Sequence, residues 1–91
     1  MRYVVCYDIS DDGRRRRLVE ALLDFGERVQ ESVFVADLDE ELAGRMLARV
    51  RAAVEETEDA VHVFALCERC WGGVTTVGKG RLPEDRTYYV F

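Results

Sequence analysis

ERVQESVFVADL, residues Glu27–Leu38, has strand composition and admits two architectures. Read as one strand, it places Val29, Glu31, Val33 and Val35 on one face and Gln30, Ser32, Phe34 and Ala36 on the other. Neither face is then purely apolar. Read with a break near Glu31–Ser32, it is a tight hairpin of two short strands. Both readings stand on these residues alone, and the flanking elements give the choice its weight. Upstream, Arg2–Ile9 (RYVVCYDI) is rich in β-branched and aromatic residues, and its near-continuous apolar character predicts a central strand. Ser10, Asp11 and Asp12 are three cap candidates for a helix in which Leu18, Leu22 and Phe25 share a face, with Val19 and Leu23 alongside and Gly26 as its stop signal. Downstream, Asp37 or Asp39 caps a second helix. Asp39, Glu40 and Glu41 open it and Arg45, Arg49 and Arg51 follow, which complements the helix dipole. Its expected buried stripe is Leu42, Met46, Val50 and Val54. Glu55–Asp59 reads as a polar connection, Ala60–Cys67 (AVHVFALC) as another strand, and Val74–Val77 as a short one.

This order predicts an α+β sandwich, an antiparallel sheet with two helices on one face. With a hairpin at 27–38 it is the ferredoxin-like βαββαβ arrangement. Residues 1–91 are read as a single domain, with a core over 1–80 and a tail over 81–91. The closing TYYVF (Thr87–Phe91) is too apolar to dangle, so it is expected to pair with a sheet edge of this chain or of a second copy. The uncovered sheet face also needs a cover, which a homodimer supplies.

At 91 residues the chain has room for one hydrophobic core. Apolar residues make up 48% and charged residues 34%, too hydrophobic for a disordered chain and too charged for a membrane protein. No apolar run approaches the roughly 20 residues of a spanning helix, and the first residues do not resemble an export signal. Three cysteines make a poor disulfide framework, in keeping with a reducing cytoplasm.

The net charge of −5 argues against binding nucleic acid by bulk charge, but its distribution is uneven. Residues 1–36 sum to −1, residues 37–60 to −5 and residues 61–91 to +1. Twelve of the thirteen cations are Arg, the better bidentate partner for phosphate.

Three features bear on chemistry. Asp8 ends the first strand just before a turn. With three other cap candidates behind it, Asp8 is free to be a Mg²⁺ ligand, since Mg²⁺ commonly takes one or two protein carboxylates and fills its octahedron with water and phosphate oxygens. One Asp is thin as a site; two copies meeting on a two-fold axis are adequate. Arg14, Arg15, Arg16 and Arg17 crowd the positive end of a helix, which is unfavourable unless acids or a bound polyanion offset them. They lie six residues beyond Asp8, which favours a nucleic-acid backbone. Cys67 and Cys70 form a CxxC pair too small for structural zinc, because only Cys6 and His62 could complete four ligands and both sit in strands as expected core residues. Trp71-Gly72-Gly73 looks a poor helix start, so the pair is read as thiols in a turn or a labile disulfide. No P-loop, GxGxxG or Ser/His/Asp pattern is present.

Tyr7-Asp8-Ile9-Ser10-Asp11-Asp12, an Arg-rich helix start, and Gly26-x-Arg28-Val29-Gln30-x-Ser32-Val33-Phe34 together resemble the Cas-two family, small CRISPR-associated proteins of the spacer-acquisition machinery. The resemblance extends through the acidic second helix, the Glu55–Asp59 connection, Cys67-Glu68-Arg69-Cys70 and Tyr88-Tyr89-Val90-Phe91, so it spans essentially the whole chain. It implies a ferredoxin-like homodimer whose C-terminal strand adds to the partner's sheet. It also implies that Asp8 and its symmetry mate bind Mg²⁺ or Mn²⁺, as in metal-dependent endonucleases acting on RNA or double-stranded DNA. Family members further bridge the Cas-one integrase as a spacer-holding scaffold. By position, Tyr7, Arg15, Arg17, Arg28 and Phe34 match family residues around the metal or nucleic acid, and Ser32 stands beside them as a supporting residue.

Overall fold

A computed structural model of the chain describes residues 1–78. The expected tail over 81–91, with its edge strand, lies outside the described residues. The elements are β1 (Arg2–Asp8), α1 (Asp12–Leu23), β2 (Glu27–Gln30), β3 (Val33–Asp37), α2 (Glu40–Ala53), β4 (Ala60–Leu66) and the short α3 (Glu68–Gly72). The four strands form one antiparallel sheet in the order β2-β3-β1-β4. Glu31 and Ser32 are the hairpin turn, so the two-strand reading holds and the fold is ferredoxin-like. Among the described residues no helix is long and apolar enough to cross a membrane.

Alternation along β1 sorts its side chains between two faces. Val5 and Tyr7, with Ile9 just past the strand, join Leu18 and Leu22 of α1, Phe34 and Ala36 of β3, and Ala43, Met46 and Val50 of α2 in one core. Val4 and Cys6 point the other way, opposite Phe64 and His62 of β4. There they line an apolar groove of about 320 Å³ with Val33 and Val35 of β3, Leu66 of β4 and Trp71 of α3.

Helix ends are set by side-chain oxygens. Asp11 accepts from the Arg14 backbone N–H at 2.8 Å, and Asp39 accepts from that of Leu42 at 2.8 Å. Of the two cap candidates for α2, Asp39 therefore serves, while Asp37 pairs with Arg2 at 3.3 Å.

Several expectations need correcting. Gly26 does not terminate α1, whose C-cap is Asp24 in a right-handed conformation. Its role is close approach: a Cβ there would lie 2.2 Å from the Val35 carbonyl oxygen and 2.8 Å from the Ala36 Cβ. The buried face of α2 is Ala43, Met46 and Val50, with Leu42 exposed and Val54 only partly buried. The reason is helical phase, since successive i, i+4 steps each overrun a turn by about 40° and drift off any single face. His62 is exposed on the groove side of β4, stacked with Phe64 at 6.3 Å between ring centroids, and is not core. Cys6 is only partly buried. Val74–Val77 forms no strand.

Candidate functional site at the end of the first strand

Asp8 is the last residue of β1, paired across the sheet with Ala60, the first residue of β4. Its side chain is exposed, and it has no hydrogen bond or ion pair among the described residues. It sits at the rim of a hollow of about 550 Å³, bordered by Tyr7, Asp12, Arg15, Arg16, Arg28 and the Glu31–Ser32 turn. Three elements build this hollow: the end of β1, the first turns of α1 and the β2–β3 hairpin. Antiparallel pairing of β1 with β3 brings the hairpin turn beside Tyr7, whose backbone N–H donates to the Ser32 carbonyl at 3.2 Å.

Tyr7 fastens the same junction through its side chain, donating its hydroxyl to the Glu31 carbonyl at 3.0 Å. Burial raises the phenol above its ordinary range, while Arg28 and Arg15 pull in the opposite direction. It stays a neutral donor at physiological pH. Phe34, expected as a supporting residue, is 1% exposed and packs against Tyr7 at 6.2 Å between ring centroids, so it acts from inside the core.

The four consecutive arginines divide. Arg15 donates to the Ile9 carbonyl at 3.0 Å and pairs with Asp12, which fixes its guanidinium over the loop that follows Asp8. Arg16 borders the hollow from the solvent side, and Arg28 reaches it from β2. Neither has an ion-pair partner among the described residues. Arg17 is exposed and does not line the hollow.

Arg14 turns away toward β4 instead. Its Nε donates to Asp59 at 2.8 Å and its Nη2 to Asp59 at 3.1 Å and Glu58 at 3.2 Å. Asp59 also accepts from the Glu55 backbone N–H at 2.8 Å, and its side chain is fully shielded from solvent. The Arg14 hydrogen bonds, then the one from Glu55, hold the Asp59 carboxyl below the usual carboxylate range; the same pairing strengthens the Arg14 charge. Sequence reading treated 55–59 as a plain connection and missed this link. The surplus of cations at the start of α1 was the signal that some distant acid was needed.

Among the described residues, no three His, Cys, Asp or Glu side chains gather in a group able to hold a metal ion. Of the three carboxylates that border the hollow, Asp12 is paired with Arg15 and Glu31 belongs to the hairpin turn, so Asp8 at the strand end is the one with which a cation is matched. That donor fits Mg²⁺, which keeps most of its water and phosphate ligands, provided a second carboxylate arrives from elsewhere.

The profile of the family described as CRISPR associated protein Cas2 matches residues 1–74. The chain is 41% identical over 88 residues to the CRISPR-associated endonuclease Cas2 2 of Thermus thermophilus, covering 97% of this chain and 93% of that one. It is 37% identical to a CRISPR-associated endoribonuclease Cas2 of Mycobacterium tuberculosis, covering 100% of this chain and 78% of the relative. Among solved structures, a hypothetical protein of T. thermophilus superposes with a TM-score of 0.80 at 40% identity, covering 91% and 96% of the two chains. Streptococcus pyogenes Cas2 superposes at 0.73 and 26% identity, covering 86% and 100%. The hairpin, the strand-end aspartate and the arginine-lined hollow thus occur in a chain that belongs to the CRISPR associated protein Cas2 family.

Proposed function

We propose that this protein is a divalent-metal-dependent endonuclease of CRISPR spacer acquisition. In this reading it acts as a homodimer that binds DNA or RNA and bridges the Cas-one integrase. The observation that carries the proposal is the placement of Asp8: an exposed, unpartnered carboxylate beside an arginine-lined hollow. The printed names of the relatives, endonuclease and endoribonuclease Cas2, support the same reaction class.

Asp8 from each of two copies would hold one Mg²⁺ or Mn²⁺ ion. When bound, such an ion supplies Lewis acidity at the scissile phosphate and activates a water. The chain's own residues do the positioning. Arg16 and Arg28 neutralise the phosphates that enter the hollow, and Arg15, tethered to the Ile9 carbonyl, presents a fixed guanidinium at the strand end. Tyr7 and Ser32 keep the hairpin turn against β1, so the rim holds its shape when the backbone docks.

Asp8→Ala tests the reaction directly. Mg²⁺-dependent cleavage of RNA and duplex DNA should fall by about 100-fold or more, the scale lost with one electrostatic contributor to a transition state. A variant that cleaves at the wild-type rate overturns the mechanism.

Among the described residues no group of three acidic, His or Cys side chains could hold a metal, and that favours a second reading: the same dimer as a non-cutting scaffold that fixes spacer length for the integrase. Spacer-integration assays separate the two. A scaffold tolerates Asp8→Ala and fails when Arg15, Arg16 and Arg28 are replaced together by Ala, whereas the enzyme reading requires Asp8.

A further inference from the structure

Cys67 and Cys70 lie outside the hollow and its proposed chemistry, beyond the end of β4 that is opposite to Asp8. The sequence predicts a poor helix start here, but Cys67 is the N-cap of α3, and the Trp71 N–H donates to its carbonyl at 2.9 Å. Both thiols are free and exposed. Side chains three apart on one helical turn stand about 5–6 Å apart at Cβ. A disulfide asks for Cβ atoms about 3.5–4.5 Å apart, so the turn must tighten by roughly 1–2 Å to close the bond.

The two thiols are unequal. The Cys70 backbone N–H and thiol face Cys67 and lower its pKa by favouring its thiolate, while the Cys67 sulfur raises that of Cys70. Cys67 stands at the head of α3 and Cys70 within its turn, and that order assigns Cys67 as the attacking and Cys70 as the resolving thiol.

The turn is also wired to the sheet. Trp71, next to Cys70, lines the apolar groove with Val4, Cys6, Phe64 and Leu66. The Arg2 guanidinium lies 5.3 Å from its ring centroid. A helix of five residues has little stability of its own, so a cross-link in its first turn acts directly on the Trp71 side chain.

We infer that Cys67 and Cys70 are a redox-active dithiol that exchanges with small-molecule disulfides of the glutathione class and, when oxidised, moves Trp71 in the groove. The Cys67 thiolate attacks one sulfur of the small disulfide, forming a mixed disulfide and releasing one thiolate. The Cys70 thiol then gives its proton to solvent and attacks the Cys67 sulfur, releasing the second. Two protein thiols are oxidised to one disulfide, and one small disulfide is reduced to two thiols.

The test uses the full chain, reduced and then equilibrated at neutral pH across graded ratios of oxidised to reduced glutathione. Free thiols are trapped with N-ethylmaleimide and the products read by intact mass and peptide mapping. The wild type should lose two hydrogens as a Cys67–Cys70 disulfide, and dithiothreitol should restore it. Emission of Trp71, the sole tryptophan, should shift along the same titration. Cys70→Ser should stop at a glutathione adduct on Cys67, and Cys67 should be alkylated at least about threefold faster than Cys70 in the reduced protein. Failure to form the bond at any ratio, oxidation directed to Cys6 or to a second chain, equal alkylation rates, or an unmoved Trp71 signal would each overturn the inference. Cys70→Ser alters an exposed position, so circular dichroism that matches the wild type keeps the result interpretable.

Discussion

The two faces of the sheet are made from the same strands and behave oppositely. On the helix side, Val5, Phe34, Leu18, Leu22 and Met46 are all but sealed from solvent. On the groove side, Phe64 keeps 51% of its surface and His62 is exposed, and the rim ends in the bare carboxylate of Asp8. One-residue alternation along β1 produces both: Val5 and Tyr7 into the core, Cys6 and Asp8 to the other side. The sealed core is concentrated on one face, and exposed Phe64, His62 and Asp8 are left on the other.

Substitutions across the two faces can break that contrast. Phe34→Ala should have the largest effect, destabilising the fold by about 3–5 kcal/mol as read by urea unfolding, because it leaves a cavity among Tyr7 and the helices. A small effect there would mean the helix face is not the principal core. Gly26→Ala follows, at about 1–3 kcal/mol, since the new methyl meets the Val35 carbonyl and the β3 backbone must yield.

Asp59→Asn should lower the melting temperature by several degrees at neutral pH by breaking the Arg14 link between α1 and the connection that leads into β4. Because the folded carboxyl titrates below the unfolded one, the link contributes fully above the unfolded value of about 4 and is lost as pH falls from there through the folded value. The variant should therefore show a flatter acid limb in a plot of stability against pH. An unchanged limb would mean that other carboxylates set it.

Phe64→Ser is the counterpart of Phe34→Ala on the opposite face. Monomer stability should stay within about 0.5 kcal/mol, and if the proposed homodimer closes over this face, native mass measurements should show less of it at a given concentration. If the unfolding free energy drops by as much as for Phe34, the groove face is core and the contrast disappears.

The fold was legible to the extent that local chemistry sets it. The turn at Glu31–Ser32, the Asp11 and Asp39 caps and the β-branched run of β1 each express their role within a few residues. What was not legible depends on distant partners. Gly26 looks like a stop signal until β3 is laid against it, and Arg14 looks like one of four equal cations until Asp59 is found 45 residues away. His62 shares an alternating pattern with Val61 and Val63, and nothing in that pattern says which face the helices cover. The helix start at Cys67 escaped because Gly72 and Gly73 weigh against helix, although the turn needs only the residues before them. At the site, the strand-end position of Asp8 was readable, whereas the division of the arginines between Asp59 and the hollow follows from packing alone.

The bulge between Arg28 and Gln30 has a consequence for assembly. It breaks the register of β2, a four-residue border strand with exposed Glu27, Arg28 and Gln30, and such a border is a poor template for annealing another strand. The seven-residue β4 on the opposite margin is regular, and among the described residues no strand lies outside it. Among the described residues the sheet therefore has one receptive margin. Were two copies to join at that margin, each would use up the other's capacity and growth would halt at a closed pair.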